Sequence, residues 1–263
     1  MISAKRDLSY NVITNSLLGQ VIIKPKFESS QPIELITLEK KSGQKTHEWV
    51  YQLLRQNVIC GKIPPGLPLT IRGLAERLGV SAMPVREALN RLTSEGALQV
   101  KDNRRVMVPM MTPEKFNELC ELRILLETHA ADNAMPYMRG ADADELERID
   151  QDLNVAVESG DMELTNLVNQ QFHRYLYAVN PHHLSQPMIE SVWLQLGPFI
   201  RIVKSKLEKH YPIDRHVEAV EAIRQRSAFG LRRAIEADIR DGIASIKAIP
   251  GVHEYFSGES HKS

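Results

Sequence analysis

Apolar residues recur with helical spacing twice between residues 65 and 109, and the rest of the chain is organised around this stretch. A first helix is predicted to begin after Thr70 and to end at Gly79, where glycine permits the left-handed backbone of a helix stop. Ser81 is a natural N-cap for a second helix, which Gly96 ends. The apolar positions share one face of each helix: Ile71, Leu74, Ala75 and Leu78 in the first, and Val85, Leu89 and Leu92 in the second.

Two short apolar runs follow, at residues 97–100 and 106–108, with the polar turn 101–105 between them. This pattern predicts a β-hairpin. Two helices joined by a tight turn and followed by a hairpin make a winged helix-turn-helix. The second helix and the wing of such a domain are its usual nucleic-acid-reading surfaces.

A further helix is predicted upstream, with Thr46 as its N-cap and Gly61 as its end, and it completes a winged domain over residues 45–110. The apolar face of this helix consists of Val50, Leu53, Leu54 and Val58. Residues 1–44 are only weakly patterned. We predict a partly disordered N-terminal extension there.

From Met111 onward the pattern is helical, and Thr112 followed by a proline marks the first helix start. We predict a mainly α protein, in which the winged helix-turn-helix is followed by an all-α helical bundle at 111–250 and a flexible tail at 251–263. The predicted helices of the second domain cover residues 113–138, 142–158, 162–179, 184–209, 214–226 and 229–247.

The net charge of zero argues at first against a nucleic-acid binder, but the distribution of charge along the chain favours one. Residues 1–110 carry 16 lysines and arginines against 9 acidic residues, whereas residues 111–263 carry 17 against 24. A basic half joined to an acidic half is typical of a DNA-binding domain followed by a domain that does not touch DNA. The alternative is a chance asymmetry.

The sequence gives no sign of a membrane or secreted protein. No apolar run approaches the length of a membrane span, and the N-terminus lacks the apolar core and cleavage site of a signal peptide. The two cysteines, Cys60 and Cys120, form neither a metal-binding spacing nor a disulfide framework. We therefore expect a cytoplasmic protein with no membrane partner.

The winged stretch resembles the GntR superfamily of bacterial transcription regulators. The shared motif elements are Pro64-Pro65-Gly66, Leu74-Ala75, Leu78-Gly79-Val80-Ser81 and Pro84-Val85-Arg86-Glu87-Ala88-Leu89. The helical half is similar to the FadR-type effector domain, often called FCD. Its marks here are Glu121-Leu122-Arg123 with Glu127, Asn169 and Phe172-His173 with Asn180, and His216 with Ala222-Ile223. This resemblance implies a homodimer that binds double-stranded operator DNA.

The resemblance also implies which residues of the helix-turn-helix contact DNA. Arg72 and Arg86 match family positions that contact bases and phosphates, and an arginine fork can read guanine or clamp a phosphate. Ser81 is expected to hold a phosphate while it caps its helix, and Met83 to touch a thymine methyl group. The alternatives are solvated arginines and an exposed or partly packed methionine.

The sequence departs from the family pattern at two places. Ala82 stands where the family usually has an arginine, so one DNA contact is missing. Arg105 stands where the wing usually has a glycine, and with Asn103 and Arg104 it makes a basic wing tip. Such a tip suits the minor groove or the DNA backbone. The alternative is an exposed basic turn.

In FCD domains that bind metal, the resemblance implies one aspartate and three histidines as ligands. Here Asn169 takes the aspartate position, and His173 and His216 match two of the histidines. The third position, 22 residues after His216, is Asp238, and Asp241 is the alternative in a shifted register. This set would suit Zn²⁺, Ni²⁺ or Mn²⁺, with open positions for an effector carboxylate. The alternative is a polar pocket without metal.

Arg123 matches a family arginine that faces the effector pocket, where it would pair with an anionic ligand. We expect Arg123 and Asn169 to bind the effector. The alternative for Arg123 is a salt bridge to Glu127, which lies one helical turn away.

Three functions are compared against these features. The first, which we favour, is a regulator that is not an enzyme: it binds a palindromic operator as a dimer and is modulated by a small organic acid. The second is a metal-dependent hydrolase or lyase using His173, His216 and Asp238, but no activated nucleophile or clear general base accompanies them. The third is a DNA-binding protein with a silent, metal-free effector domain.

Overall fold

The computed structural model describes residues 12–14, 21–23, 35–101, 105–204 and 215–256. The chain divides into two compact units, at residues 1–33 and 34–263. In the first unit, strands β1 (Val12–Thr14) and β2 (Val21–Ile23) pair antiparallel, with Ile13 opposite Ile22. Residues 1–11, 15–20 and 24–34 lie outside the described part of the chain. They belong to the N-terminal extension that is predicted to be partly disordered.

A winged helix-turn-helix opens the second unit, as predicted. The Thr70 hydroxyl accepts a hydrogen bond from the Gly73 amide at 3.1 Å, and Gly79 ends the helix with a φ of 63°. A three-stranded antiparallel sheet in the order β3-β5-β4 forms the wing. The elements are α1 (Thr46–Ile59), β3 (Pro68–Leu69), α2 (Ile71–Leu78), α3 (Ala82–Ser94), β4 (Gln99–Lys101) and β5 (Arg105–Met107).

The chain packs onto α1 before the predicted domain start. Buried Asn57 accepts a hydrogen bond from the Ile36 amide at 2.7 Å and donates to the Ile36 carbonyl at 3.1 Å. The Trp49 indole donates to the Leu38 carbonyl at 2.7 Å. The N-cap of α1 is Lys45 rather than Thr46, because the helical backbone already begins at the threonine.

The described part of the second domain contains six α-helices, which agrees with the predicted all-α bundle. They are α4 (Pro113–Ala134), α5 (Gly140–Ser159), α6 (Met162–Ala178), α7 (Gln186–Lys204), α8 (His216–Arg224) and α9 (Ala228–Lys247). The core of the bundle is built from their apolar faces, with Phe172 and Tyr177 of α6 among its largest buried side chains. None of the described helices is long and apolar enough to cross a membrane.

The chain stays ordered beyond the predicted end of the bundle. A 3-10 helix at Val252–Tyr255 is followed by Phe256, whose ring stacks on Phe199 with 4.6 Å between centroids and meets Phe116 edge-on at 5.7 Å. Aromatic burial therefore fixes residues that were expected to be flexible. The rest of the predicted tail, residues 257–263, lies outside the described part.

Helix α7 contacts the winged domain at several points. Arg55 of α1 donates to the Glu190 carboxylate at 2.8 Å, and the Ser191 hydroxyl donates to the Glu95 carbonyl, just after α3, at 3.0 Å. The backbones of α1 and α7 touch where a Cβ on Gly197 would lie 2.3 Å from the Ile59 carbonyl oxygen. A change in the position of α7 would therefore reach α1 and the end of α3.

Candidate functional site

The exposed face of the helix-turn-helix presents cationic side chains. Arg72 on α2 and Arg86 on α3 are both exposed, and neither makes an ion pair with any described residue. Met83, one turn before Arg86, is 60% exposed. Because Val85, Leu89 and Leu92 bury the opposite face of α3, the helix turns this side outward, where an arginine could reach a groove or a phosphate.

Ser81 occupies the predicted N-cap position of α3, with an extended backbone, but its hydroxyl makes no capping hydrogen bond. The prediction that the Ser81 side chain caps the helix is therefore wrong. The apolar periodicity locates the cap position but does not determine the side-chain rotamer. The side chain is exposed. A phosphate contact by Ser81 stays a prediction.

Arg105, at the start of β5, is exposed and pairs in register with Lys101 across the wing. The remaining predicted wing residues, Asn103 and Arg104, lie outside the described part of the chain. The residue pair that flanks the turn of the wing is thus cationic on both strands, whereas contact of the tip with DNA stays a prediction.

Three of the four predicted metal ligands meet inside the helical bundle. His173 of α6, His216 of α8 and Asp238 of α9 place one ligand atom each within 4.8 Å of one another. Both imidazoles are fully buried, and His173 Nε2 lies 3.3 Å from Asp238 Oδ2. This donor set, two imidazoles and one carboxylate, fits Zn²⁺, Ni²⁺ or Mn²⁺.

A buried carboxylate outside the predicted set orients His216. Asp150 of α5 lies 2.9 Å from His216 Nδ1, and the Phe172 ring stacks on the imidazole at 3.8 Å. Metal-binding histidines commonly have such a carboxylate on the nitrogen that does not face the metal. One local signal could have revealed Asp150, since it lies four residues after Leu146 on the buried stripe of α5.

The predicted ligand Asn169 lies one turn before His173 on α6 and is half-buried. The alternative ligand Asp241 pairs instead with Arg215, whose Nε donates to it at 2.9 Å. Asp238, and not Asp241, therefore joins the histidines. Ligation by Asn169 stays a prediction.

Arg123 forms the salt bridge to Glu127 that the sequence left open as the alternative. Its Nε donates to Glu127 Oε1 at 2.6 Å, and the arginine side chain is 17% exposed. Burial alone lowers the pKa of Arg123, but the charge of Glu127 and this hydrogen bond outweigh it, so the pKa is raised and the guanidinium stays charged.

Glu127 receives two more donors, both from aromatic side chains of the core. The Tyr177 hydroxyl donates to Oε2 and the Trp193 indole to Oε1, both at 2.7 Å. Burial and the Glu127 charge raise the pKa of Tyr177 well above its usual value, so its hydroxyl keeps the proton that it donates. No local sequence pattern indicates this contact, because Trp193 is 66 residues from Glu127.

The hydroxyl of Tyr177 also orients the ring of His173. Nδ1 of His173 lies 3.1 Å from the Tyr177 oxygen. Because the hydroxyl proton points to Glu127, Nδ1–H donates to the Tyr177 oxygen, and Nε2 faces Asp238. Nε2 is buried and points to the place where His173, His216 and Asp238 could share a cation.

Asp238 is an ionised carboxylate in this cluster. Burial raises its pKa, but the hydrogen bond and charge of His173, with the charges of His216 and Arg123, outweigh burial and hold the pKa far below its usual range. The cluster therefore supplies a negative charge beside Nε2 of His173.

Comparison with known proteins matches each half of the chain to a protein family. Residues 46–108 match the bacterial regulatory proteins of the gntR family, and residues 118–241 match the FCD domain. The chain is 31% identical to the HTH-type transcriptional regulator McbR of Escherichia coli (strain K12) over 196 residues, 73% of this chain and 88% of McbR. The chain belongs to the GntR family. It is a DNA-binding transcription regulator, and its relatives are regulators rather than enzymes.

Solved structures agree with this membership. The structure of E. coli McbR/YncC superposes with a TM-score of 0.73 at 29% identity, over 77% of this chain and 97% of that one. A putative GntR regulator from Rhodococcus sp. RHA1 shares the fold, with a TM-score of 0.64 at 22% identity, over 76% of this chain and 97% of that one. The enzyme hypothesis is therefore set aside.

Proposed function

We propose that this GntR-family protein is a cytoplasmic regulator that binds a palindromic operator as a homodimer and responds to a small organic acid through a divalent metal ion. The observation that carries the proposal is the convergence of His173, His216 and Asp238 inside a domain that packs directly on the winged domain. A dimer of winged domains suits two operator half-sites related by the same two-fold axis.

The chain's own residues would hold the ion and leave room for a ligand. His173 and His216 would bind through Nε2, since Nδ1 of each is engaged by Tyr177 or Asp150. When bound, the ion would supply a Lewis-acidic centre with open positions for a carboxylate oxygen. Asn169, one turn before His173 on α6, would contact the same ligand.

The response to a ligand would pass through α7. Trp193 of this helix donates to Glu127 beside the cluster, and Glu190 of the same helix accepts from Arg174 of α6 at 2.9 Å and from Arg55 of the winged domain at 2.8 Å. A ligand changes operator affinity only as far as it binds the two positions of α7 with different affinity. The proposal therefore requires that α7 can take two positions relative to the winged domain.

Replacing Arg86 with alanine should lower the affinity for DNA selected by the wild-type protein by about 10- to 100-fold and relax base preference at one position of each half-site, because a bidentate base contact is lost. Fluorescence anisotropy measures the affinity. Arg240→Ala, which removes an exposed arginine of α9, is the matched control and should bind DNA normally. Unchanged binding by Arg86→Ala would overturn the docking of α3.

A further inference from the structure

Three hydrogen-bond donors from three helices converge on one buried carboxylate, Glu127. The side chain is 0% exposed, and it accepts from Arg123 of its own helix α4 at 2.6 Å, from Tyr177 of α6 at 2.7 Å and from Trp193 of α7 at 2.7 Å. Arg123 and Trp193 share Oε1, whereas Tyr177 binds Oε2. Both oxygens of the carboxylate are therefore occupied.

These donors are the groups with which proteins recognise a carboxylate. A guanidinium and an indole N–H can only donate hydrogen bonds, a phenolic hydroxyl can donate one as well, and charge-assisted bonds to a carboxylate are the stronger kind. In this chain the carboxylate comes from the protein itself. Arg123, the only arginine whose side chain bonds to this group in the described structure, is neutralised by it.

Two further carboxylates lie next to the histidines. Asp238 and Asp150 each lie beside one of the two histidines, and Arg215 reaches Asp238 only through its backbone amide, because its guanidinium bonds to Asp241 and Glu218. No described arginine or lysine side chain forms an ion pair with either aspartate. A free organic anion would therefore find no arginine or lysine partner beside these carboxylates.

We propose that Glu127 is an internal carboxylate that occupies the donors of Arg123, Tyr177 and Trp193, so that an organic acid binds beside it only through a cation held by His173, His216 and Asp238. The proposal deepens the proposed function and rests on it for the acid and the cation. It makes Glu127 a specificity-determining residue and removes Arg123 from direct recognition of the ligand.

The test uses the full-length protein after treatment with a chelator, and its probe is sodium acetate against sodium chloride at equal ionic strength. Wild-type protein should melt at the same temperature in both salts. Glu127→Ala should be destabilised in chloride, and about 100 mM acetate should raise its melting temperature by about 3–5 °C, as expected for a site of about 10 mM affinity.

Glu127→Gln is the matched control. Its amide fills the volume of the lost carboxylate, so acetate should not stabilise it. If Glu127→Ala does not fold in chloride, the fraction of protein that refolds from denaturant is compared in the two salts. Refolding in acetate but not in chloride supports the proposal. Equal recovery, or equal melting of Glu127→Ala in the two salts, would overturn it.

The wild-type arm can also overturn the proposal. Stabilisation of chelated wild-type protein by acetate would mean that the donors of Arg123, Tyr177 and Trp193 remain open to ligands. This experiment contains neither metal nor DNA. A negative result would therefore count against the role of Glu127 and not against metal binding or operator binding, which are tested separately.

Discussion

Replacing His173 with alanine should lower the affinity of the protein for Zn²⁺ by about 100-fold or more. Loss of an outer partner of a metal ligand alone costs about 10- to 100-fold, and this substitution removes a ligand. His173 is the centre of the cluster: its Nε2 lies 3.3 Å from Asp238, and its ring is 5.3 Å from that of His216. Two donors do not hold a transition metal as well as three.

Competition with a chromophoric chelator measures this affinity, and metal analysis after dialysis measures the stoichiometry. His129→Ala is the matched control, because it removes an exposed histidine of α4 outside the cluster. Wild-type stoichiometry in a folded His173→Ala variant would show that the metal binds elsewhere.

A second large effect is expected at the interface between the domains. Gly197→Ala should destabilise the protein by about 1–3 kcal/mol, because the added Cβ would lie 2.3 Å from the Ile59 carbonyl oxygen and 3.0 Å from its carbonyl carbon. Both neighbours are backbone atoms, so no side-chain rotation relieves the clash. The end of α1 must move away from α7, and we expect α7 to lose its coupling to the winged domain.

Gly242→Ala is the control for the same substitution within a helix. Its Cβ would meet no atom within 4 Å, so alanine should leave stability unchanged or raise it by about 1 kcal/mol through helix propensity. Thermal melting compares the two variants, and cleavage by a protease in the connector between the domains reports their separation. Equal stability of the two variants would contradict the close contact of α1 with α7.

Local signals explain why the winged domain could be predicted in detail. The Thr70 cap, the left-handed Gly79 and the apolar stripe of α3 are each encoded within a few residues, and each appears in the structure. Pro113 likewise begins α4, as predicted. The prediction of a flexible tail from residue 251 missed the packing of Phe256. This packing depends on aromatic rings that are far away in the sequence.

The candidate site was only partly predictable, because it is built from long-range pairs. The residues His173, His216 and Asp238 followed from family positions and a buried stripe, and the structure brings them together. Their partners did not follow. Asp150 meets His216 across 66 residues, and Glu127 meets Tyr177 across 50. Helical periodicity indicates which face is buried, but it does not indicate which helix covers that face.

Helix α7 gives the two halves of the protein a shared element. Its Trp193 bonds to Glu127 beside the pocket, while its Glu190 bonds to Arg55 and its Gly197 touches the end of α1. A small displacement of α7 would therefore change contacts with both the bundle core and the winged domain. Coupling through α7 is measured as a change in the free energy of operator binding.

The most direct measurement is operator affinity by fluorescence anisotropy with chelator, with Zn²⁺, and with Zn²⁺ plus each member of a panel of short-chain hydroxy acids and keto acids. Wild-type protein should change its operator affinity by about 5-fold or more with one acid in the presence of Zn²⁺, and not with chelator. His173→Ala should bind the operator and ignore both additions. Equal operator affinity of wild-type protein under all these conditions would contradict a pocket that governs DNA binding.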